Sequence, residues 1–262
     1  MKSRFFAAAF AASVSLCAAH NAVAQNPSTN DILEAESDVR PPTIEAGFGY
    51  RTAKIEYGMV ENDESVFGYE VEIGWYGLFG GFEACHDMTG INDRRGRANE
   101  IESFLGYGFT WGDFSAKAAY IYKSVFAEDE PDTQQVELEL EYETPWVTPF
   151  VELMCDTSAK PGALYGVAGL TRDWEICDRL TLVTHGGIGF GNPYHNGWCF
   201  ERDRWAFREM RIGAELEIKI CPHVKLAPGI DFYDYFTEAQ RSTYDKFSGF
   251  IAVAGCRLAV EF

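Results

Sequence analysis

From Thr43 to Phe262 the chain alternates apolar and polar residues with a period of two, segment after segment. In "FGYEVEIGWY", Phe67, Tyr69, Val71, Ile73 and Trp75 oppose Gly68, Glu70, Glu72 and Gly74. In "EIESFLGYGFTW", Ile101, Ser103, Leu105, Tyr107, Phe109 and Trp111 share a face. "VELELEY" sets Val136, Leu138, Leu140 and Tyr142 against Glu137, Glu139 and Glu141. "MRIGAELEIKI" sets Met210, Ile212, Ala214, Leu216 and Ile218 against Arg211, Gly213, Glu215, Glu217 and Lys219. A period of two belongs to strands with one apolar face. Weaker segments of this kind fall at 43–58, 78–86, 114–126, 146–155, 163–174, 180–190, 224–235 and 247–262. Pro149 and Pro228 sit in two of them, where a ladder loses a donor. Roughly twelve strands result, within a range of about ten to fourteen.

The connections alternate in length. Short ones ("YG", "WGD", "ETP", "EICDR", "CPH") are interleaved with long polar ones such as "HDMTGINDRRGRAN", "GNPYHNGWCFERDR" and "FTEAQRSTYDK". The first, "VENDES", is shorter but belongs to the long-loop side. All turns then lie at one end and all loops at the other. The expected fold is all-β: a transmembrane antiparallel up-and-down β-barrel over 43–262, with short turns inside and long loops outside.

Aromatic positions add to this reading. Trp75, Trp111, Tyr142, Trp146, Trp174 and Phe262 all fall beside the short-turn end, as an interfacial girdle requires. The last strand, "GCRLAVEF", places Phe262, Val260, Leu258 and Cys256 on one face. A closing strand that ends on Phe262 resembles the C-terminal signature by which bacterial barrels are handed to their assembly machinery. Period two alone also fits a secreted, lipocalin-like barrel with its apolar faces inward; loop asymmetry and girdle position favour lipid.

The N-terminal "MKSRFFAAAFAASVSLCAAHNAVAQNP" reads as a cleaved secretory signal peptide over 1–24. Residues 25–42, polar and broken by proline, read as a disordered periplasmic linker. The expected location is the cell outer membrane of a Gram-negative bacterium. A formal net charge of −18 excludes nucleic acid as a natural partner, since phosphate binding needs an excess of Lys and Arg. Six cysteines follow the signal without a CxxC or a Cys/His cluster, so no metal or cofactor is expected. Cys177 and Cys221 both fall in turns and can pair if those turns meet; the alternative is free thiols.

With apolar faces toward lipid, the other faces line a lumen. Its expected lining is Glu70, Glu72, Glu102, Glu137, Glu139, Glu141, Glu152, His185, Arg211, Glu215, Glu217, Lys219 and Asp231. Acids outnumber bases, and a carboxylate-lined pore favours cations. The expectation is a porin-like channel for passive diffusion of small polar solutes. A barrel this slender can also be filled by its own side chains, leaving a plugged structural or binding barrel. A barrel hydrolase is the third reading. His86-Asp87, His185 and His195 are its candidates, but no nucleophile is tied to any of them by a recognised pattern, so no catalytic residue is assigned. The long loops carry Tyr194, Trp198, Phe200 and the basic run with Arg94, Arg95 and Arg97, which suits outer-membrane lipids and lipopolysaccharide phosphates.

The stretches "YRTAKIEYGMVENDESVFGYEVEIGWYGLFGGFEACHDMTG", "NEIESFLGYGF" and "YIYKSVFAEDEPDTQQVELELEYETPWVTPFVELMCDT" resemble the TorF-type porins, a group of small bacterial outer-membrane barrels. The resemblance covers most of 43–262 as a pattern of Gly, aromatic and Glu positions. It implies a diffusion channel and transfers no site residues. Six cysteines depart from that pattern.

Overall fold

The computed structural model describes residues 41–56, 59–62, 64–89, 96, 98–126, 131–200, 203–236 and 250–262. The segment 1–40 and the arginines at 94, 95 and 97 lie outside the described residues, and with them the signal-peptide, linker and phosphate-binding expectations. Along the chain run β1 (Thr43–Arg51), β2 (Lys54–Glu56), β3 (Met59–Asn62), β4 (Val66–Trp75), β5 (Leu78–Asp87), β6 (Ala98–Trp111) and β7 (Phe114–Val125). Then follow β8 (Thr133–Tyr142), β9 (Thr148–Asp156), β10 (Leu164–Cys177), β11 (Leu180–Gly191), a helix α1 (Pro193–Phe200), β12 (Ala206–Cys221), β13 (Val224–Tyr235) and β14 (Phe250–Glu261).

Twelve of these strands form a closed antiparallel barrel in which β1 pairs with β4, each strand from β4 onward pairs with the next along the chain, and β14 returns to β1. Closure is continuous from Glu45↔Glu261 to Arg51↔Gly255. Ile44 and Phe262 exchange backbone hydrogen bonds of 3.1 and 2.8 Å at the seam. No barrel edge is left to seek a partner, which a barrel in hydrocarbon requires.

Burial runs opposite to that of a soluble domain. Ile73, Leu105, Tyr107, Phe109, Leu170 and Ile212 are exposed on the outside, while Lys123, Glu100, Glu102, Glu83 and Arg208 are buried. Water-soluble proteins rarely bury lysine and glutamate or display a continuous apolar belt. The barrel is therefore of the transmembrane class, with the alternation pointing apolar side chains outward.

The short connections are made by residues that tolerate the hairpin backbone. Tyr76 (φ 50°) and Gly77 (φ 84°) form the β4–β5 turn, and Gly112 (φ 59°) lies in that between β6 and β7. Both central positions at positive φ match the twist of a tight hairpin. Pro228 is accommodated in β13 because the register with β12 passes from Gly229 directly to Leu226, while pairing with β14 continues.

Two features depart from the sequence reading. The segment 43–58 is not one strand. β1 ends at Arg51, and the chain then turns into the small β2–β3 hairpin, which forms its own two-stranded sheet. The segment "GNPYHNGWCFERDR" is not wholly irregular, since it contains α1. Asn192 caps that helix, its Oδ1 accepting from His195 N at 2.9 Å, and Pro193 occupies the first turn where no donor is needed. None of the six cysteines from Cys85 onward is in a disulfide; Cys177 and Cys221 are exposed and unbridged.

Candidate functional site: an obstructed, charged interior

Register fixes which side chains share a level inside the barrel. Glu70 lies opposite Glu83, Glu83 opposite Glu102, and Glu102 opposite Lys123, so four successive strands set four ionisable groups in one row. One row nearer the long loops lies Glu100. Lys123 is fully buried, and its Nζ stands 2.8 Å from Glu100, 3.0 Å from Glu102 and 3.3 Å from Glu56 of the β2–β3 hairpin. Lys54, also on the hairpin, pairs with Glu100 and lies 3.6 Å from Glu56. Buried charges persist in proteins when paired in this way.

The hairpin's other contacts are with the opposite wall. Ala53, Ile55 and Val60 cluster with Tyr233, Tyr235, Ile251 and Val253 of β13 and β14. Asn62 donates to Asp87, which also accepts from Asn99 at 2.9 Å. The hairpin thus bridges the barrel near its long-loop end, ion-paired to β6 and β7 and packed by apolar contact against β13 and β14. Sequence reasoning missed Lys54, Glu56, Asn62 and Asp87 as interior groups; "TAKIEYGMVEN" alternates as a strand does, and the one signal against a single strand is the shift of its apolar residues from even positions up to Tyr50 to odd ones at Ala53 and Ile55.

Other pairs cross the interior, most of them between strands that are not neighbours in the barrel. Arg211 Nη2 binds both oxygens of Glu152, at 3.2 and 3.1 Å, from β12 to β9. Its guanidinium lies 5.6 Å from the centre of the Phe150 ring. Arg257 donates to Glu45 at 2.5 Å and lies 3.1 Å from Glu70. His185 Nε2 meets Asp231 Oδ1 at 2.7 Å across Gly213, whose missing side chain leaves the gap they occupy. Glu141 is buried near the short-turn end. Lys219 is exposed at the mouth on that side.

Cavities among the described residues lie between these pairs, two of them rich in carboxyl groups. One is lined by Glu70, Glu72, Glu83, Glu102, Glu137 and Glu139 together with Lys117, Phe79 and Phe104. Lys117 Nζ is 3.9 Å from Glu139. The other lies at the short-turn end among Glu215, Glu217, Lys225, Arg257 and Glu261.

Helix α1 closes part of the long-loop end. Asn196 donates to Gly191 O and Arg204 O, both at 2.7 Å, and accepts from Arg208 at 2.7 Å. A bulge in β12, which has one residue more than β11 between Phe207 and Met210, buries both Arg208 and Glu209. Glu209 accepts from Tyr165. His195 is buried 5.4 Å from the Tyr165 ring, and Cys199 Sγ lies 3.7 Å from its Nε2. Burial pushes the Cys199 thiol up to about 12, with Arg208 pulling the other way, so it is protonated at neutral pH.

The histidine candidates separate. His86 stacks on Tyr69 of the neighbouring strand at 5.5 Å, whereas Asp87 hydrogen-bonds to Asn62 and Asn99 within the barrel mouth. Adjacent strand residues face opposite ways, so His86 and Asp87 do not form a pair. Thr171 lies opposite His185 in the ladder, but its hydroxyl donates to Thr184 O at 3.3 Å.

Outside, Trp75, Trp111, Tyr142, Trp146, Trp174 and Phe262 are exposed beside the short turns, Trp111 and Trp146 at 76% and 73%. A second set that sequence reasoning did not single out, Tyr50, Phe126, Trp205, Phe207, Phe236 and Phe250, is exposed near the long loops. Phe250 and Phe262 are the two ends of one outward face. The twelve steps between them span roughly 40 Å along the strand at about 3.3 Å each. At a tilt of about 40°, that is roughly 30 Å along the axis, close to the thickness of a hydrocarbon core.

No protein-family model matches the chain, and no curated protein matches it. Among solved structures it is similar to the KdgM porin, with a TM-score of 0.53 and 8% identity over 84% of this chain and 99% of that one. It is likewise similar to the NanC porin, with a TM-score of 0.51 and 12% identity over 84% and 98%. At these identities the likeness is one of fold: a twelve-strand antiparallel barrel.

Proposed function

We propose that the chain is a porin-like channel of the bacterial outer membrane, passing small polar solutes by diffusion and favouring cations. The observation that carries this reading is the inverted burial, an apolar exterior about as tall as a membrane around an ionisable interior. The likeness in fold to two porins supports it. The main cavity, with six carboxyl side chains and one lysine, supports the cation preference. The lumen-lining and girdle roles of the residues named above belong to the same proposal. So do export through a cleaved signal peptide, assembly through the C-terminal strand, lipopolysaccharide contact by the long loops, and the TorF-type resemblance. The β2–β3 hairpin favours a second reading, a barrel plugged at rest.

Swelling of proteoliposomes in isotonic solute tests the proposal. Swelling that slows as solute size grows is the expected result. Vesicles with correctly inserted protein that do not swell in any small solute would overturn the channel reading and leave the plugged barrel.

A further inference from the structure

The carboxyl groups of the main cavity are not equivalent. Glu70 is held by Arg257 and Glu102 by Lys123. Between them on β5, Glu83 is 5% exposed, lines the cavity, and makes no direct hydrogen bond or salt bridge with another described residue, with Lys54 and Arg51 as its nearest cations. A buried carboxyl between two others gains from the approach of a cation. Among the described residues no group of three or more acidic or metal-binding side chains is set for a metal ion. The carboxyls are spread over several strands around one shared space. Phe79 and Phe104 line the same space, their ring centres 6.3 Å apart. Carboxylate beside aromatic faces is the chemistry that holds an alkylammonium or alkylguanidinium: charge for the head, rings for the head or stem.

We infer that this cavity is a binding station for small organic cations, with Glu83 as the group that meets the cationic head and Phe79 and Phe104 as walls for the stem. Lys117, the cavity's single ammonium, opposes such a guest. The inference rests on the barrel reading of the interior and deepens its cation preference, but binding at the station does not require conduction.

The test uses n-butylguanidinium and its neutral counterpart n-butylurea, titrated calorimetrically into the refolded full-length mature barrel in detergent. Retention of the compact, heat-modifiable form on electrophoresis shows that each variant has folded. The guanidinium should bind and the urea should not. Glu83→Gln should loosen binding by about tenfold, the loss expected for one charged hydrogen bond. Lys117→Met should tighten it. Equal binding of the two probes, no binding at all, or indifference to both substitutions would overturn the station. Conductance measured on the same protein keeps the two proposals apart. A silent barrel that binds butylguanidinium through Glu83 loses the channel reading and keeps the station. A conducting barrel that does not bind it keeps the channel and loses the station.

Discussion

Gly213 shows how much of this interior depends on side chains that are absent. His185 and Asp231 lie on strands that do not touch, and they meet at 2.7 Å because β12 presents only hydrogen between them. Gly47 leaves comparable room for Glu70 beside Arg257. A Cβ at Gly213 would collide with both His185 and Asp231. Gly213→Ala should therefore lower resistance to urea unfolding in detergent by about 1–3 kcal/mol, the range for breaking a buried polar pair. The same change in a His185→Ala, Asp231→Ala background should cost much less, because nothing is left to displace. Equal costs in the two backgrounds would assign the loss to the β12 backbone instead. At this scale the sequence was informative about direction and poor about partners. Period two placed Glu70, Glu137, Arg211 and Asp231 on one side of their strands. It could not join His185 to Asp231 or Arg211 to Glu152, since these pairs lie 46 and 59 residues apart and depend on barrel curvature.

Among the elements, the twelve barrel strands were legible because lipid imposes an unbroken alternation, and the turns punctuate it with Gly, Asp and Pro. The β2–β3 hairpin was not. Its residues alternate as a strand should apart from the shift to odd positions at Ala53, and the long-range pairing of Lys54, Glu56 and Lys123 reveals that it has left the wall. Helix α1 was hidden for the opposite reason: "NPYHNGWCF" has weak helical patterning and is held by the Asn192 cap and by Asn196. The hairpin is an insert in a barrel whose β1–β4 ladder is complete without it, from Thr43↔Gly74 to Arg51↔Val66. Replacing residues 53–62 by a short Gly-Ser linker should leave a folded barrel and raise its unitary conductance several-fold. Unchanged conductance after removal of the hairpin would place the narrowest point elsewhere, with α1 or the Arg211–Glu152 bridge as the next candidates.

For the whole molecule, two physical demands act on the same strands. Hydrocarbon requires a closed ladder and an apolar outer band, which the β1–β14 seam and the exposed apolar side chains of the outer faces supply. The interior must then accommodate an excess of carboxyl groups within a slender barrel. It does so by pairing some with Arg211, Arg257, Lys54 and Lys123 and leaving others, Glu83 foremost, facing open space. An interior of this kind is selective if it conducts. The most direct test is the current through the refolded mature protein in a planar bilayer, with its reversal potential across a potassium chloride gradient. The expected result is discrete steps whose reversal potential shifts toward that of potassium. A reversal potential on the chloride side would contradict the cation preference, and an inserted barrel without steps would contradict the channel itself.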